Sequence, residues 1–444
     1  MVDQFHSRSK CIFLVTHLVP YPPARGVELR ILKLLRWLHG EGYRVILVLP
    51  ADSIEARALD ALRKVTHAVH WTRPALRTRL GNRLPYLRKA LWEPLKPVLR
   101  PANHSAGAAA ELQPVSPVGD DQIKRGLCPD SLIRLVGKLA RKYRPQAVIA
   151  EYIFLIECFE DLPAETLKIV DTIDVFSRKP DQVLAFGIDD PQACTEDEER
   201  QYLLRADVII AIQSREAELL KALVPEREVL LTGMDFEVTH SLSSERSDPN
   251  RVAVIASDNA LNVHGLRAFL AECWPEIKAA HPGVSLEIVG KVGDQCRVED
   301  SSIHYRRWVD DLDEVYRQSR VIINPTIAGT GLKIKSAQAL AHGKPLVAWT
   351  NGVEGLEFAD EPPYIECRSW PEFAAAVVRL LKSEDEAEAL ARRALAYAQK
   401  EFNATRVYAS LKARLTQHLS LPTYGQRTEP APSARNYEGS VRLP

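Results

Sequence analysis

Short apolar runs alternate along the chain with segments in which apolar residues recur every three or four positions. Apolar runs between polar turns predict buried strands, and the longer spacing predicts amphipathic helices. The first half has one such helix, at 27–38, and its predicted strands are 11–15, 45–49, 147–150, 168–170 and 208–211. Strands that alternate with helices indicate an α/β fold with a doubly wound parallel sheet.

A polar segment without periodicity, 239–250, divides the chain. After it the alternation resumes, with predicted strands at 252–256 and 286–289, a turn at 257–265 and a helix at 266–279. The chain has 444 residues, which is too long for one hydrophobic core, so we expect two domains. The predicted organisation is a first domain at 1–240, a second at 250–385, a last helical stretch at 386–420 and a disordered polar tail at 421–444.

The most informative stretch is 321–356, which predicts a βαβ unit. An apolar strand at 321–326 leads into a loop containing Gly329 and Gly331. A helix at 332–342 and a second strand at 344–350 follow. The loop therefore lies at the carboxyl end of a parallel strand, where ligands bind in open α/β sheets.

This loop has the charge expected of an anion site. Backbone N–H groups at a helix start are unpaired and lie at the positive end of the helix dipole. Lys333 and Lys335 add two cations to the first turn, where each opposes the dipole by roughly 0.3–1 kcal/mol. A bound anion would return about 1.5–3 kcal/mol per charge-assisted hydrogen bond. The alternative is that both are solvated lysines at an ordinary turn.

The segment GTGLKIKSAQALAHGKPLVAWTNGVEGL resembles the donor-binding segment of GT-B fold glycosyltransferases, in particular the family 4 branch, or glycosyl transferases group 1. The resemblance implies that the glycine loop and its lysines hold the diphosphate of a nucleotide sugar. Gln338 stands where the family has a glutamate that contacts the ribose, and Thr330 stands where a more distant form has another acid. The donor-binding residues implied in this segment are Gly329, Thr330, Gly331, Leu332, Lys333, Lys335, Gln338 and Glu354.

Two other elements resemble the same family. Asn262 and Gly265 belong to an N-V-x-G element at the start of the second domain and are further donor-binding candidates. In the first domain, T-H-x-x-P-Y-P-P-x-x-G-x-x-x-R implies a cleft lined by Thr16, His17, Gly26 and Arg30. Three first-domain residues are candidates to orient an acceptor hydroxyl, namely Glu151, His17 and Asp174, and Glu151 is the best placed because it lies just beyond a buried strand. Local loop capping is the alternative for His17 and Asp174.

The resemblance implies two Rossmann-like domains facing a cleft, with donor in the second, acceptor in the first and the terminal helix crossing back. The implied reaction moves a sugar from a nucleotide-diphosphate donor to an acceptor hydroxyl with retained configuration, in glycan, polysaccharide or glycolipid synthesis. Neither a cofactor nor a metal is expected, because the D-x-D string Asp311–Asp313 fits a helix cap better than a metal site. The alternatives are a degenerate protein that binds nucleotide or glycan without turnover, and a nucleotide-sugar epimerase.

Composition adds limits on location and partners. The net charge is zero, so nothing global favours nucleic acid. The seven scattered cysteines contain no C-x-x-C pair, which favours a cytoplasmic protein with reduced thiols. The basic, aromatic stretch 71–100, within an excursion at 71–130, has two interpretations: peripheral contact with the inner face of a membrane, or packing on its own domain. Glycan, lipid-linked and small-molecule acceptors all remain open.

Overall fold

The computed structural model describes residues 10–23, 25–72, 127–178, 194–239, 247–358 and 361–420. Within these ranges the chain forms two all-parallel sheets of seven and six strands. The predicted excursion at 71–130 lies largely outside the described residues, as do 240–246 of the predicted boundary and the tail from 421. Membrane contact through 71–100 therefore stays a prediction.

The first sheet has the order β3-β2-β1-β4-β5-β6-β7. Its strands are β1 (Cys11–Val15), β2 (Arg44–Pro50), β3 (Ala68–Thr72), β4 (Ala147–Glu151), β5 (Leu167–Asp171), β6 (Val208–Ala211) and β7 (Glu228–Leu231). Its α-helices are α1 (Gly26–Gly40), α2 (Ala56–Arg63), α3 (Asp130–Tyr143), α4 (Glu196–Leu203) and α5 (Ser214–Leu223). The strand order reverses between β1 and β4, so their carboxyl ends open a crevice.

The second sheet has the order β10-β9-β8-β11-β12-β13 and reverses between β8 and β11. Its strands are β8 (Asp248–Ile255), β9 (Ser285–Val289), β10 (Ile303–Arg306), β11 (Ser319–Asn324), β12 (Leu346–Trp349) and β13 (Ile365–Cys367). The helices around it are α6 (Ala260–Glu272), α7 (Trp274–Ala280), α8 (Val292–Gln295), α9 (Leu312–Gln318), α10 (Ile334–Ala341), α11 (Trp370–Lys382) and α12 (Glu384–Glu401). The predicted doubly wound α/β fold is thus confirmed.

Each sheet is covered by buried apolar side chains on both faces. The chain ends its described part in α13 (Ala404–Val407) and α14 (Ala409–Ser420). Leu411 and Leu415, on α14, are fully buried in the same core as Ile31 and Leu35 of α1. Helix α14, the last described element, therefore packs on the first sheet. No helix in the described ranges is long and apolar enough to cross a membrane.

Two predicted helix starts are wrong, and β8 begins at Asp248 rather than at 252. Helix α6 begins at Ala260, so the turn predicted at 257–265 ends six residues early, because the Asn259 side chain accepts the Leu261 N–H and caps the helix there. Helix α10 begins at Ile334 rather than at 332, because Lys333, its N-cap, has ψ of 78°, which lies outside the right-handed helical region.

Candidate functional site

The glycine loop, residues 327–333, joins β11 to α10 at the strand-order reversal of the second sheet. Gly329 and Gly331 have φ of 119° and 76°, values that favour glycine. Gly331 also lies against the first domain, since a Cβ built there would be 2.6 Å from Asp174 Oδ1. Both glycines are therefore required by backbone shape, and Gly331 by a close approach as well.

Lys333 holds the glycine loop together. Its Nζ donates to the carbonyls of Gly329, Thr330 and Gly331 at 2.9, 2.9 and 3.2 Å. Burial lowers the pKa of this ammonium, although the nearby carboxylate of Glu354 raises it. The amine therefore points into its own loop. Its predicted contact with a diphosphate stays a prediction, and its observed role is to fix the loop.

Lys335, in the first turn of α10, differs from Lys333. Its side chain is half-buried, and no described residue forms a hydrogen bond or an ion pair with its ammonium. Burial and the charge of Lys333 lower its pKa to about 8. A partly desolvated amine at a helix start, beside a second cation, is a site that an anion would stabilise.

Two acids of the first domain lie against the same loop. Asp174, which follows β5, accepts the Thr330 hydroxyl at 2.9 Å. Glu216, in the first turn of α5, accepts the backbone N–H of Gly331 at 2.9 Å. Burial, and then the charge of Asp174, raises the pKa of Glu216 to about 8. One of the N–H groups predicted to bind an anion is therefore taken by a carboxyl of the same chain.

The backbone that carries Asp174 is strained. Ile173 has φ of 65°, a left-handed conformation that is a true outlier for a β-branched residue. Tyr152, just after β4, has φ of 80°. Such strain costs roughly 1–3 kcal/mol per residue and concentrates at functional sites. The two strained residues follow neighbouring strands at the edge that faces the glycine loop, which supports a functional role for this edge.

Further contacts between the domains surround the loop. Glu354 accepts from Arg215 of α5 at 2.9 Å and from Asn351 at 2.7 Å, while Asn351 also donates to the Gly329 carbonyl at 2.9 Å. Glu354 is therefore occupied by protein partners. A cavity of about 470 Å³ lies beside these residues, lined by Ile327, Trp349, Phe358 and Tyr364 among others.

Asn262 and Gly265 lie on α6 rather than in the predicted turn. Asn262 donates to Ser257 and accepts from Thr326 at 3.4 Å, so its amide bridges the end of β8 to the glycine-loop strand. A Cβ on Gly265 would lie 2.2 Å from the Pro325 carbonyl. Both residues thus have a structural role in bringing α6 close to β11, and their contact with a donor stays a prediction.

Gln338 and Leu332 flank the loop on its helix side. Gln338 lies half-buried on α10, and within the described part of the chain its side-chain amide forms no hydrogen bond. The amide is free for the ribose contact that the sequence resemblance implies. Leu332 instead packs against the core that contains Ala337 and Leu340, so it anchors the loop.

The acid at the end of β4 is deeply buried. Glu151 is fully inaccessible, and neither of its carboxyl oxygens has a hydrogen-bond partner among the described residues. Its cross-strand neighbour Asp171 is paired with Arg30 through two hydrogen bonds of 2.8 Å. Burial, and then the charge of Asp171, raises the pKa of Glu151 well above its usual value. Arg30, expected to line the cleft, is itself buried in this pair.

His17 follows β1 at the same edge of the first sheet. Its ring meets the Tyr152 ring edge-on at a centroid distance of 4.8 Å, and its buried Nδ1 has no hydrogen-bond partner in the part of the chain that the structure describes. Burial and the charge of Arg25 lower its pKa to about 4. The imidazole is therefore neutral at physiological pH. It can donate one hydrogen bond through its protonated ring nitrogen and accept one at the other nitrogen.

The D-x-D string forms a helix cap, as the sequence predicts. Asp311 accepts the Asp313 N–H at 2.9 Å as the N-cap of α9, and it also pairs with Arg317. Across the described residues no group of three or more His, Cys, Asp or Glu side chains could hold a metal ion.

The site residues that the sequence did not reveal are Glu216, Arg215 and Asn351. Glu216 is an acid in the first turn of a helix, where acids are common because they complement the dipole. Nothing in its local sequence distinguishes it from such a residue. The polar residues directly after β6 were the available hint, since they mark a carboxyl strand edge.

Comparison with known proteins finds a family match for part of the chain. Residues 249–383 match the family model described as Glycosyl transferases group 1. No curated protein matches the chain by sequence.

Solved structures match over nearly the whole chain. Sucrose-phosphate synthase from Thermosynechococcus elongatus has a TM-score of 0.62 at 15% identity, over 92% of this chain and 99% of its own. HepE from Anabaena, solved with UDP and glucose, has a TM-score of 0.60 at 13% identity, over 92% of this chain and 100% of its own. The pneumococcal O-GlcNAc transferase GtfA, solved with UDP and GlcNAc, has a TM-score of 0.61 at 11% identity, over 93% and 99%.

At these identities the solved structures establish the fold, and the family match covers the domain that carries the glycine loop. The chain therefore has the GT-B fold of these solved structures, and its residues 249–383 match the glycosyl transferases group 1 family.

Proposed function

We propose that the protein transfers a sugar from a nucleotide-diphosphate donor to an acceptor hydroxyl, with retention of configuration and without a metal, in glycan, polysaccharide or glycolipid synthesis. The observation that carries this proposal is the glycine loop at the start of α10, with the half-buried ammonium of Lys335 beside it, which pairs with no residue that the structure describes. That HepE and GtfA were solved with UDP supports a nucleotide-diphosphate donor.

The slow step of such a transfer is departure of the nucleotide diphosphate, whose negative charge grows as the glycosidic bond breaks. The helix start, the loop N–H groups and Lys335 stabilise that charge because they are already oriented before the reaction. Lys333 contributes indirectly, by holding the three loop carbonyls in place. This arrangement supplies positive charge from protein groups, which is the basis for proposing a metal-independent reaction.

On the acceptor side, the three candidate residues differ in their surroundings. Glu151 is enclosed, and burial raises its pKa well above the usual value, which favours the neutral carboxyl. Asp174 contacts the glycine loop, and His17 is a neutral imidazole at the same sheet edge. We therefore favour Asp174 and His17 as the residues that orient the acceptor hydroxyl, with Glu151 as an internal support for the strand end. The acceptor is a glycan, a lipid-linked intermediate or a small metabolite.

The test is a panel of nucleotide sugars, assayed for hydrolysis and for transfer to simple acceptors with the wild type and the Lys335→Met variant. We expect turnover of at least one donor, loss of donor affinity in the variant and no effect of a chelator. The anomeric proton of the product, followed by NMR, reports retention or inversion. Absence of binding for every nucleotide tested would remove the proposal.

A second candidate is a protein that binds nucleotide or glycan without turnover. Two observations favour it: the uncharged Gln338 stands at the ribose position, and Glu216 holds the Gly331 N–H. Gln338→Glu distinguishes the two, because improved donor binding and new turnover in the variant would indicate a lost ribose contact. Donor interconversion without any acceptor would instead indicate an epimerase.

A further inference from the structure

The contact between Glu216 and the glycine loop joins two helix starts. Glu216 lies in the first turn of α5, and Gly331 lies just before α10. The amino ends of both helices carry positive partial charge, so their approach is unfavourable unless an acceptor or an anion lies between them. The carboxyl of Glu216 meets this requirement on the loop side, where it accepts the Gly331 N–H at 2.9 Å.

Neighbouring contacts keep the Glu216 carboxyl at this position. Arg215 pairs with Glu354 at 2.9 Å, and Asp174 accepts the Thr330 hydroxyl at 2.9 Å. Gly355 has φ of 83°, and a Cβ there would lie 2.6 Å from Gln213 Oε1, so α5 packs directly on the second domain. The position of Glu216 is thus set by several contacts between the domains.

The second carboxyl oxygen shows that the Glu216 contact is incomplete. Glu216 is 3% exposed, and its buried Oε2, beside the Gln213 side chain, accepts no well-aligned hydrogen bond from the described residues. A buried polar atom without a partner costs about as much as a lost hydrogen bond, so a contact made only for stability would not leave it so. The Gly331 N–H is accepted by Glu216, and keeping the Glu216 carboxyl in this position costs free energy because its other oxygen is poorly hydrogen-bonded.

We propose that Glu216 is a built-in competitor of the donor: its carboxyl holds the Gly331 N–H, and the donor diphosphate binds the glycine loop by displacing it. The inference rests on the proposed function, since it assigns the loop to a diphosphate. It adds that a residue of the first domain sets the affinity of the second domain for the donor. Displacement of Glu216 also weakens a contact between the domains, so donor binding and the interdomain contact are coupled.

The test measures nucleotide binding and loop protection in the full chain. Calorimetric titration with UDP, GDP and ADP is compared for the wild type, Glu216→Ala, Glu216→Gln and Glu218→Ala. Glu218 is a matched control because it is an exposed glutamate on the same helix. Hydrogen–deuterium exchange of the peptide that contains 327–333, without nucleotide, reports the Gly331 contact independently.

For Glu216→Ala we expect nucleotide affinity to rise by about tenfold and exchange in the loop to accelerate. Glu216→Gln keeps a carbonyl acceptor for the Gly331 N–H and should behave like the wild type, as should Glu218→Ala. Weaker or unchanged binding by Glu216→Ala overturns the competitor role while the donor site stands. Absence of binding by the wild type and by every variant is a failure of the proposed function itself, and the competitor role falls with it.

Discussion

Substitution of Lys333 and of Lys335 should affect different properties of the protein. Lys333 donates to three loop carbonyls, whereas the ammonium of Lys335 forms no hydrogen bond within the described chain. Methionine keeps most of the side-chain volume and removes the charge. Lys333→Met should therefore lower the stability of the fold, and Lys335→Met should lower the affinity for nucleotide.

The magnitudes follow from the contacts. A hydrogen bond to a charged group contributes about 1.5–3 kcal/mol. One ammonium shared by three carbonyls does not contribute three times this amount, so we expect the three bonds together to contribute about 2–3 kcal/mol. At roughly 2–4 °C per kcal/mol for a domain of this size class, the Tm of Lys333→Met should fall by about 4–12 °C. Lys335→Met should keep or slightly raise the Tm, because a cation at a helix start is unfavourable.

Lys335→Met should instead weaken binding of a nucleoside diphosphate by about tenfold or more, the loss of one charge-assisted hydrogen bond. Scanning calorimetry gives the Tm, and isothermal titration gives the Kd of the same samples. An unchanged Tm for Lys333→Met would refute its role in fixing the loop. An unchanged Kd for Lys335→Met would remove that lysine, and with it the main charge argument, from the donor site.

Three further predictions concern the supports of the site. Gly265→Ala should lower the Tm, since its Cβ would lie 2.2 Å from a backbone carbonyl and overpacking costs about 1–3 kcal/mol, whereas Gly40→Ala, with no heavy atom within 4 Å, should not. Glu151→Gln should gain stability over the wild type as pH rises from 5 to 9 in denaturant titrations. The raised pKa of the buried Glu151 carboxyl means that the folded state binds a proton that the unfolded state has released. The free energy of unfolding of the wild type therefore falls with rising pH, by up to ~1.4 kcal/mol per pH unit. A parallel pH dependence in both proteins would contradict this. Arg30→Lys should lower the Tm, because a single ammonium cannot replace two bonds to Asp171 and one to each of two carbonyls; an unchanged Tm would mean that this pair is not needed.

The agreement between sequence and structure is best where the evidence is local. The strand at 208–211 was predicted to the residue, and the strand–loop–helix order around Gly329 and Gly331 was predicted within about two residues. Apolar periodicity reports burial directly, and a glycine that must take a positive φ is visible as a glycine. The start of α6 was missed because its cap, Asn259, looks like an ordinary turn residue in a segment rich in polar side chains.

The partners of each candidate residue were decided by tertiary structure. Lys333 and Lys335 have the same sequence chemistry, yet one folds back on its own loop and the other does not. Arg30 and Asp171 are 141 positions apart, and their pairing buries a residue that the motif alone assigns to the cleft.

The sequence by itself determined the two parallel sheets, the glycine loop at a strand end and the positive charge around it, because each of these depends on residues close together in the chain. Only the tertiary structure decided that Glu216 and Asp174 lie against that loop, since they reach it from the other domain across 115 and 156 positions. Local patterns specify helices and strands. The partner of a hydrogen-bond donor is instead the acceptor that the packed domains bring within about 3 Å of it.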